Sequence, residues 1–258
     1  MAAIEPGLRV EIGAGVASLV FDRPERRNAL TIAMSDAIVA ALDRCADDDD
    51  VRVVTLRGAG GAAFMSGADI DEQGAEPDAF REAAHAMLAA LAAFEKPMIA
   101  VIDGYCLGGG LSVALQADLR IAGATATFGV PAARLGIGYP WNSVGPLVSV
   151  VGVGAAADLL FTGRRIDAAE AARLGIVQQV HPVEELTDAA RGLAEQIAAN
   201  APLSLRAAKA AIALARPKPT ADELAALAAI LARCEASADY QEGQAAFRER
   251  RPPEFRGR

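Results

Sequence analysis

Two glycine-rich loops are the parts of this sequence best suited to chemistry, one from Gly58 to Gly67 and the other from Gly104 to Gly110. Each follows a short apolar run that reads as a buried strand, and each leads toward a helix start. Backbone N–H groups at such junctions have no intrahelical partner, and small residues let a ligand approach them closely. Two such groups converging on one carbonyl form an oxyanion hole, worth about 2.7–4 kcal/mol per donor. Either loop alone is an ordinary turn. As a pair they offer a place where an oxygen could gain negative charge.

Other constellations are weaker. Gly110-Leu-Ser112-Val-Ala114 resembles a relaxed nucleophile elbow, and Asp158 or Asp167 followed by His181 keeps a hydrolase order. An elbow needs its serine on a sharp turn directly off the strand, whereas Gly104–Gly109 intervenes, so a serine hydrolase using Ser112 is the disfavoured alternative. Gly152-Val-Gly154-Ala-Ala-Ala157 superficially matches a dinucleotide fingerprint, with Glu170 near the spacing of a ribose acid. No βαβ unit surrounds it and Glu170 falls inside an expected helix, so a helix–turn–helix is the better reading. His181, before Pro182, reads as a surface residue, and His85, among alanines, reads as a packed helix residue. The run Asp47–Asp50 reads as a solvated turn, and Cys45, Cys106 and Cys234 show no metal-ligand spacing. No metal is expected.

The elements that must position these loops follow from periodicity. Leu8–Ile12 and Val16–Phe21 flank Gly13-Ala14-Gly15 as a hairpin. Thr31 reads as the N-cap of an amphipathic helix through Ala46. Val51–Leu56, Pro97–Ile102 and Leu119–Ala122 read as buried strands, with a helix over Pro77–Glu95 and a short one over Leu111–Gln116. Pro131, Gly136, Gly138, Pro140 and Gly145 mark an irregular stretch. Beyond it helical signals dominate: Asp167–Leu174, Val183–Ala199 and Pro202–Ala215, one capped by Thr220, and Asp239–Arg250, with a small strand at Ile176–Val180. The chain is therefore α/β in front and helical behind.

At 258 residues the chain suits one large domain with an appendage. Its 53% hydrophobic and 22% charged content excludes a disordered or rod-like protein. Its net charge of −8 disfavours nucleic acid as a partner. The N-terminus shows no signal pattern, and no stretch of about 18 uncharged apolar residues is read, so no membrane span is expected. The expectation is a soluble, cytoplasmic protein with no membrane partner.

Phe64-Met65-Ser66-Gly67-Ala68-Asp69-Ile70 and Lys96-Pro97-Met98-Ile99-Ala100-Val101-Ile102-Asp103-Gly104-Tyr105-Cys106-Leu107-Gly108-Gly109-Gly110 closely resemble the crotonase (enoyl-CoA hydratase/isomerase) family. Arg23-Pro24 to Asn28-Ala29-Leu30, Asp118 to Ala122, Phe161-Thr162-Gly163 to Ala171, Leu174-Gly175-Ile176-Val177 and Glu242-Gly243 to Phe247 agree in the same order. The resemblance implies an α/β spiral of ββα units over residues 1–195, followed by a C-terminal helical trimerisation region over 196–258. It also implies a homotrimer or dimer of trimers acting on an acyl-CoA thioester, with no permanently bound cofactor. The N–H groups of Ala68 and Gly109 would be the oxyanion donors. Asn28, Ala29, Ser66, Ala68, Asp69, Ile70, Gly109 and Phe247 would line the CoA channel, with Arg250 near a CoA phosphate.

The departure lies in the acid–base groups. A typical hydratase of this family splits water between two glutamates, whose positions here hold Ser112 and Ala132. Neither can take a proton at neutral pH. Tyr139, Trp141, Asn142 and Ser143 fall where the family borders its acyl pocket, with His85 on a covering helix. Tyr139 and His85 are the candidate replacements, although cavity shaping is the simpler role for Tyr139 and Trp141. The resemblance thus implies thioester binding and enolate stabilisation. The residues at 112 and 132 do not support hydration, and a catalytically weak acyl-CoA binder is the alternative.

Overall fold

The structure is a computed structural model that describes residues 2–135, 137–214, 222, 225–226, 229, 232–233, 236–249, 251 and 253–257. It opens on an antiparallel meander of β1 (Ala2–Glu5), β2 (Leu8–Gly13) and β3 (Val16–Phe21), whose second turn is closed by the Gly13↔Val16 pair. Leu8 and Val10 are buried while Arg9 and Glu11 face outward, the alternation of a strand with one wet face. Thr31 then caps α1 (Ile32–Asp47), its side chain accepting the Met34 N–H at 3.1 Å. The helix crosses back to β4 (Val53–Gly58), which pairs parallel to β3.

Two further crossovers extend the parallel part of the sheet. α2 (Ile70–Ala75) and α3 (Pro77–Ala93) precede β6 (Met98–Ile102), and α4 (Gly109–Ala114) precedes β8 (Leu119–Gly123). The seven-stranded sheet runs β1-β2-β3-β4-β6-β8-β11, with β11 at Gln179–His181. β6 is buried at every position because both faces are covered. Val54, Leu56, Met98, Ala100 and Ile102 join the core that includes residues of α1 and α3. Val53, Ile99, Val101 and Ile121 pack against Leu186, Ala190, Ala194 and Ala198 of α7 (Leu186–Ala198).

A second sheet is built from three-residue strands in the order β10-β9-β7-β5: β5 (Ala63–Met65), β7 (Tyr105–Leu107), β9 (Thr127–Gly129) and β10 (Arg165–Asp167). Two of these lie inside the stretches expected to be glycine-rich loops, so each loop contains a strand that fixes its exit. The front of the chain is therefore the mixed α/β arrangement of ββα units that was expected.

The stretch expected to be irregular ends in α5 (Trp141–Thr162), which bends at Gly152 (φ 76°, ψ 167°). The bend explains the misleading dinucleotide pattern, and Glu170 on α6 (Ala168–Arg173) is tied to Arg164 at 2.7 Å. α5 has 22 residues, and its most apolar 18-residue stretch has a mean hydropathy of 1.9, so it is long and apolar enough to cross a membrane, contrary to expectation. Asn142, Ser143 and Ser149 break its apolar run, but no charge appears between Leu135 and Ala157. In this fold Leu147, Ala156 and Leu159 anchor it to the core, leaving Val153 and Phe161 exposed. α8 (Pro202–Leu214) and α9 (Ala238–Glu249) lie toward the C-terminal end. The boundary drawn after residue 195 falls inside α7. Thr220 and Arg250 lie outside the described residues.

Candidate active site

The two loops are brought together by the second sheet, in which β5 and β7 are parallel neighbours. Met65 and Leu107 therefore deliver Ser66–Ala68 and Gly108–Gly109 side by side. Gly108 takes φ 52° and ψ −118°, a conformation L side chains rarely adopt, and so turns the chain into α4. Gly110 lets α4 press against β5, since a Cβ there would lie 2.1 Å from the Met65 carbonyl oxygen. A Cβ built on Gly109 would stand only 3.8 Å from the Ala68 nitrogen. Neither the Ala68 nor the Gly109 N–H donates to another described residue.

The first loop is also tied from below. The Leu30 N–H donates to Gly67 O and the Asp69 N–H to Leu30 O, both at 2.8 Å. Asn28 sits in the left-handed region at φ 56° with its side chain fully buried. Its Nδ2 donates to Ala63 O at 2.7 Å and Ala59 O at 3.0 Å, while its Oδ1 accepts the Arg23 N–H at 3.0 Å. Arg23 in turn reaches Ala29 O at 2.7 Å and the Asp69 carboxylate at 3.0 Å. Burial works against ionisation of Asp69. The hydrogen bonds from Arg23 and the backbone at Glu72, with the charges of Arg23 and Arg26, outweigh it and hold the carboxyl below its ordinary range.

A cavity of about 790 Å³ opens over the paired loops. Ser66, Ala68, Ile70, His85, Gly109, Ser112, Ala132 and Tyr139, all singled out from the sequence, line it. Asn28, Ala29 and Asp69 lie beneath the loop rather than on the cavity wall, because their polar groups and buried surface hold the loop together. Phe247 falls on α9 with its side chain outside the description, and Arg250 lies outside the described residues altogether. Trp141 does not shape the cavity: its side chain is 80% exposed, and the neighbouring Asn142 and Ser143 line the wall instead.

Phe80, Met87, Leu88, Leu135 and Ile137 form much of the apolar wall, and sequence reasoning did not assign them to it. The spacing of Phe80, Met87, Leu88 and Leu91, all buried, is the signal that could have shown one face of α3 turning inward. It could not show that part of this stripe faces a hollow rather than solid core.

At the positions of interest the chemistry is that of hydroxyl groups. Ser112, at the end of the first turn of α4, is buried, and its Oγ lies 2.8 Å from the Tyr139 hydroxyl. Burial pushes the Tyr139 phenol up to about 12, only partly opposed by the hydrogen bond with Ser112. Such a pair can donate a proton at neutral pH but cannot hold one abstracted from carbon. The Ala132 methyl adds nothing to proton transfer. Gln116 Nε2 bridges Ser112 O and Asn142 O at 3.3 and 3.5 Å, and Asn142 Nδ2 lies 3.1 Å from His85 Nδ1. Among the described residues the carboxylates on the wall are Asp78 and Glu82, both exposed on α3, and Asp78 is paired with Arg81.

The hydrolase alternative does not assemble. The Ser112 hydroxyl faces Tyr139, His181 on β11 is bonded to Gln179, and Asp158 is held by Arg164. The order of the three residues along the chain matched a triad, but the topology separates them.

Comparison with known proteins agrees with this geometry. The family described as enoyl-CoA hydratase/isomerase matches residues 11–258. The mitochondrial enoyl-CoA hydratase domain-containing protein 2 of Bos taurus is 35% identical over 251 residues, covering 94% of this chain and 85% of its own. The short-chain-enoyl-CoA hydratase of Clostridium acetobutylicum is 34% identical over 243 residues, covering 92% of each. The crystal structure of an enoyl-CoA hydratase from Bacillus anthracis superposes with a TM-score of 0.92 at 32% identity, over 98% of this chain and all of the other.

Proposed function

The chain belongs to the enoyl-CoA hydratase/isomerase family, and from that premise we propose that it binds acyl-CoA thioesters and stabilises their enolates. The observation that carries the proposal is the convergence, at the floor of a largely apolar cavity, of the Ala68 and Gly109 amides, which donate to no other described residue. A thioester oxygen bound between them would gain two hydrogen bonds that strengthen as it becomes an enolate oxygen, which is the differential binding that lowers a barrier. The donors are backbone atoms, so they do not depend on the side chains that differ from a typical hydratase. The substrate carries coenzyme A itself, and the chemistry described requires no further cofactor.

The CoA portion would run along the loop supported by Asn28, Ala29 and Asp69 toward exposed Ile70, with Phe247 and Arg250 completing its contacts. Ser112 and Ala132 leave no pair able to split water, so hydration is expected to be weak. A homotrimer or dimer of trimers is part of the same proposal, supported by the apolar surface that α5 exposes at Val153 and Phe161. A second reading, a catalytically weak acyl-CoA binder, is favoured by Ala132 alone, since a methyl group replaces a proton carrier. Incubating a panel of acyl-CoAs with the protein and reading products by mass spectrometry tests the proposal. Conversion of any member supports an enzyme. Calorimetric binding without conversion supports the binder, and no binding to any thioester overturns both.

A further inference from the structure

An enolate can be made in two ways: a base removes a proton from the α-carbon, or another bond to that carbon breaks and leaves its electron pair behind. Ser112, Ala132 and Tyr139 supply no base and the wall carboxylates Asp78 and Glu82 stand exposed on α3, whereas the Ser112–Tyr139 pair is built to donate. We infer that the site decarboxylates a 2-carboxyacyl (malonyl-type) CoA thioester, with Tyr139, held by Ser112, protonating the resulting enolate. This inference rests on the thioester reading of the cavity given above.

The balance is simple. The bond between the α-carbon and its carboxylate breaks, its electron pair enters the enolate, and CO2 leaves. The enolate oxygen is held by the N–H groups of Ala68 and Gly109. The α-carbon then takes the Tyr139 hydroxyl proton, and solvent restores it, so each turnover consumes one proton and releases one CO2. No oxidant, reductant or second substrate enters.

Two features of the cavity fit that chemistry. Phe80, Met87, Leu88, Leu135 and Ile137 make an apolar wall, in which a carboxylate is poorly solvated while neutral CO2 is not. Arg81, the arginine among the described residues of the wall, is exposed and already paired with Asp78, so it does not neutralise the leaving carboxylate. Burial also keeps Tyr139 protonated through neutral pH, as a donor must be.

The experiment incubates the protein in D2O with malonyl-CoA and methylmalonyl-CoA carrying a 13C-labelled free carboxyl group. The expected result is release of labelled CO2 and a product thioester with one deuterium on its α-carbon. Tyr139→Phe, which keeps the ring, should lower turnover by about 10²-fold or more while leaving acetyl-CoA affinity by calorimetry unchanged. Glu82→Gln, at a carboxylate idle in this scheme, should turn over normally. Binding of malonyl-type thioesters without CO2 release would overturn the inference while leaving the thioester reading intact. Undiminished turnover in Tyr139→Phe, or its loss in Glu82→Gln, would overturn the assignment of roles. Failure of every CoA thioester to bind would overturn the thioester reading and this inference with it.

Discussion

Gly109→Ala should separate catalysis from folding. A Cβ at this position meets nothing closer than 3.8 Å, the distance to the Ala68 nitrogen and the Gly67 carbonyl carbon. Gly109 opens α4 without a left-handed backbone, so alanine fits its conformation. Such a replacement stabilises by about 0.4–1 kcal/mol through the unfolded chain, which raises Tm by roughly 1–4 °C at this size. The added methyl nevertheless stands beside the Ala68 N–H, in the space a thioester oxygen must enter to reach both donors at about 2.7–3.1 Å. Losing one donor costs about 10²–10³ in rate, so turnover should fall at least that far. Gly110→Ala is the control, because its Cβ would lie 2.1 Å from Met65 O and force α4 away from β5. That variant should lose several degrees of Tm as well as activity. The assays are thermal melting, turnover, and the infrared band of a 13C-labelled thioester carbonyl, which binding shifts in the wild type and should not shift in Gly109→Ala. A Gly109→Ala protein with normal turnover and a normally shifted carbonyl band would refute the placement of the oxyanion donors.

Other outcomes follow from the loop supports and the exposed helix. Asn28→Ala leaves Ala59 O, Ala63 O and the Arg23 N–H unmatched and places alanine at φ 56°, so stability should fall by about 3–5 kcal/mol; chemical denaturation measures this. Asp69 is more acidic folded than unfolded, so its contribution is full above the ordinary carboxylate value and is lost as pH falls through its lower folded value. Arg23→Ala should remove about 1–3 kcal/mol and flatten that acid limb in melts taken across the acid range. Phe161→Glu, at a position 81% exposed on α5, should leave the monomer fold intact and dissociate the proposed trimer, as light scattering would show.

What could be read in the sequence was local or periodic. Thr31 announced its helix because the cap, the apolar spacing and the following acidic run agree. Val53–Gly58 and Met98–Ile102 were visible as apolar runs because both faces are covered. Ala63–Met65, Tyr105–Leu107 and Thr127–Gly129 were not, since three residues carry no periodicity and their pairing is entirely tertiary. The start of α5 was hidden by the glycines and prolines that lead into it, although the bend at Gly152 was visible as a break. At the site, the loops and the hydroxyl side chains were legible one at a time. The 2.8 Å contact between Ser112 and Tyr139 is made across 27 positions of sequence, which no local pattern encodes. Asn28, matched to a ligand-lining motif, shows what such a match leaves out: its side chain is engaged in tying two loops together.

The central claim is that the site stabilises a thioester enolate, while Ser112 and Ala132, at the positions of a hydratase's two glutamates, cannot deliver water. The direct measurement compares crotonyl-CoA hydration by the wild type and by the Ser112→Glu, Ala132→Glu double variant, with thioester binding confirmed for both by calorimetry. The account predicts binding by both, little or no hydration by the wild type, and a clear gain in the double variant, since acid–base assistance supplies about 10²–10⁴-fold. Robust hydration by the unmodified protein would contradict it, and would mean that another group on the cavity wall, Glu82 or His85, splits the water.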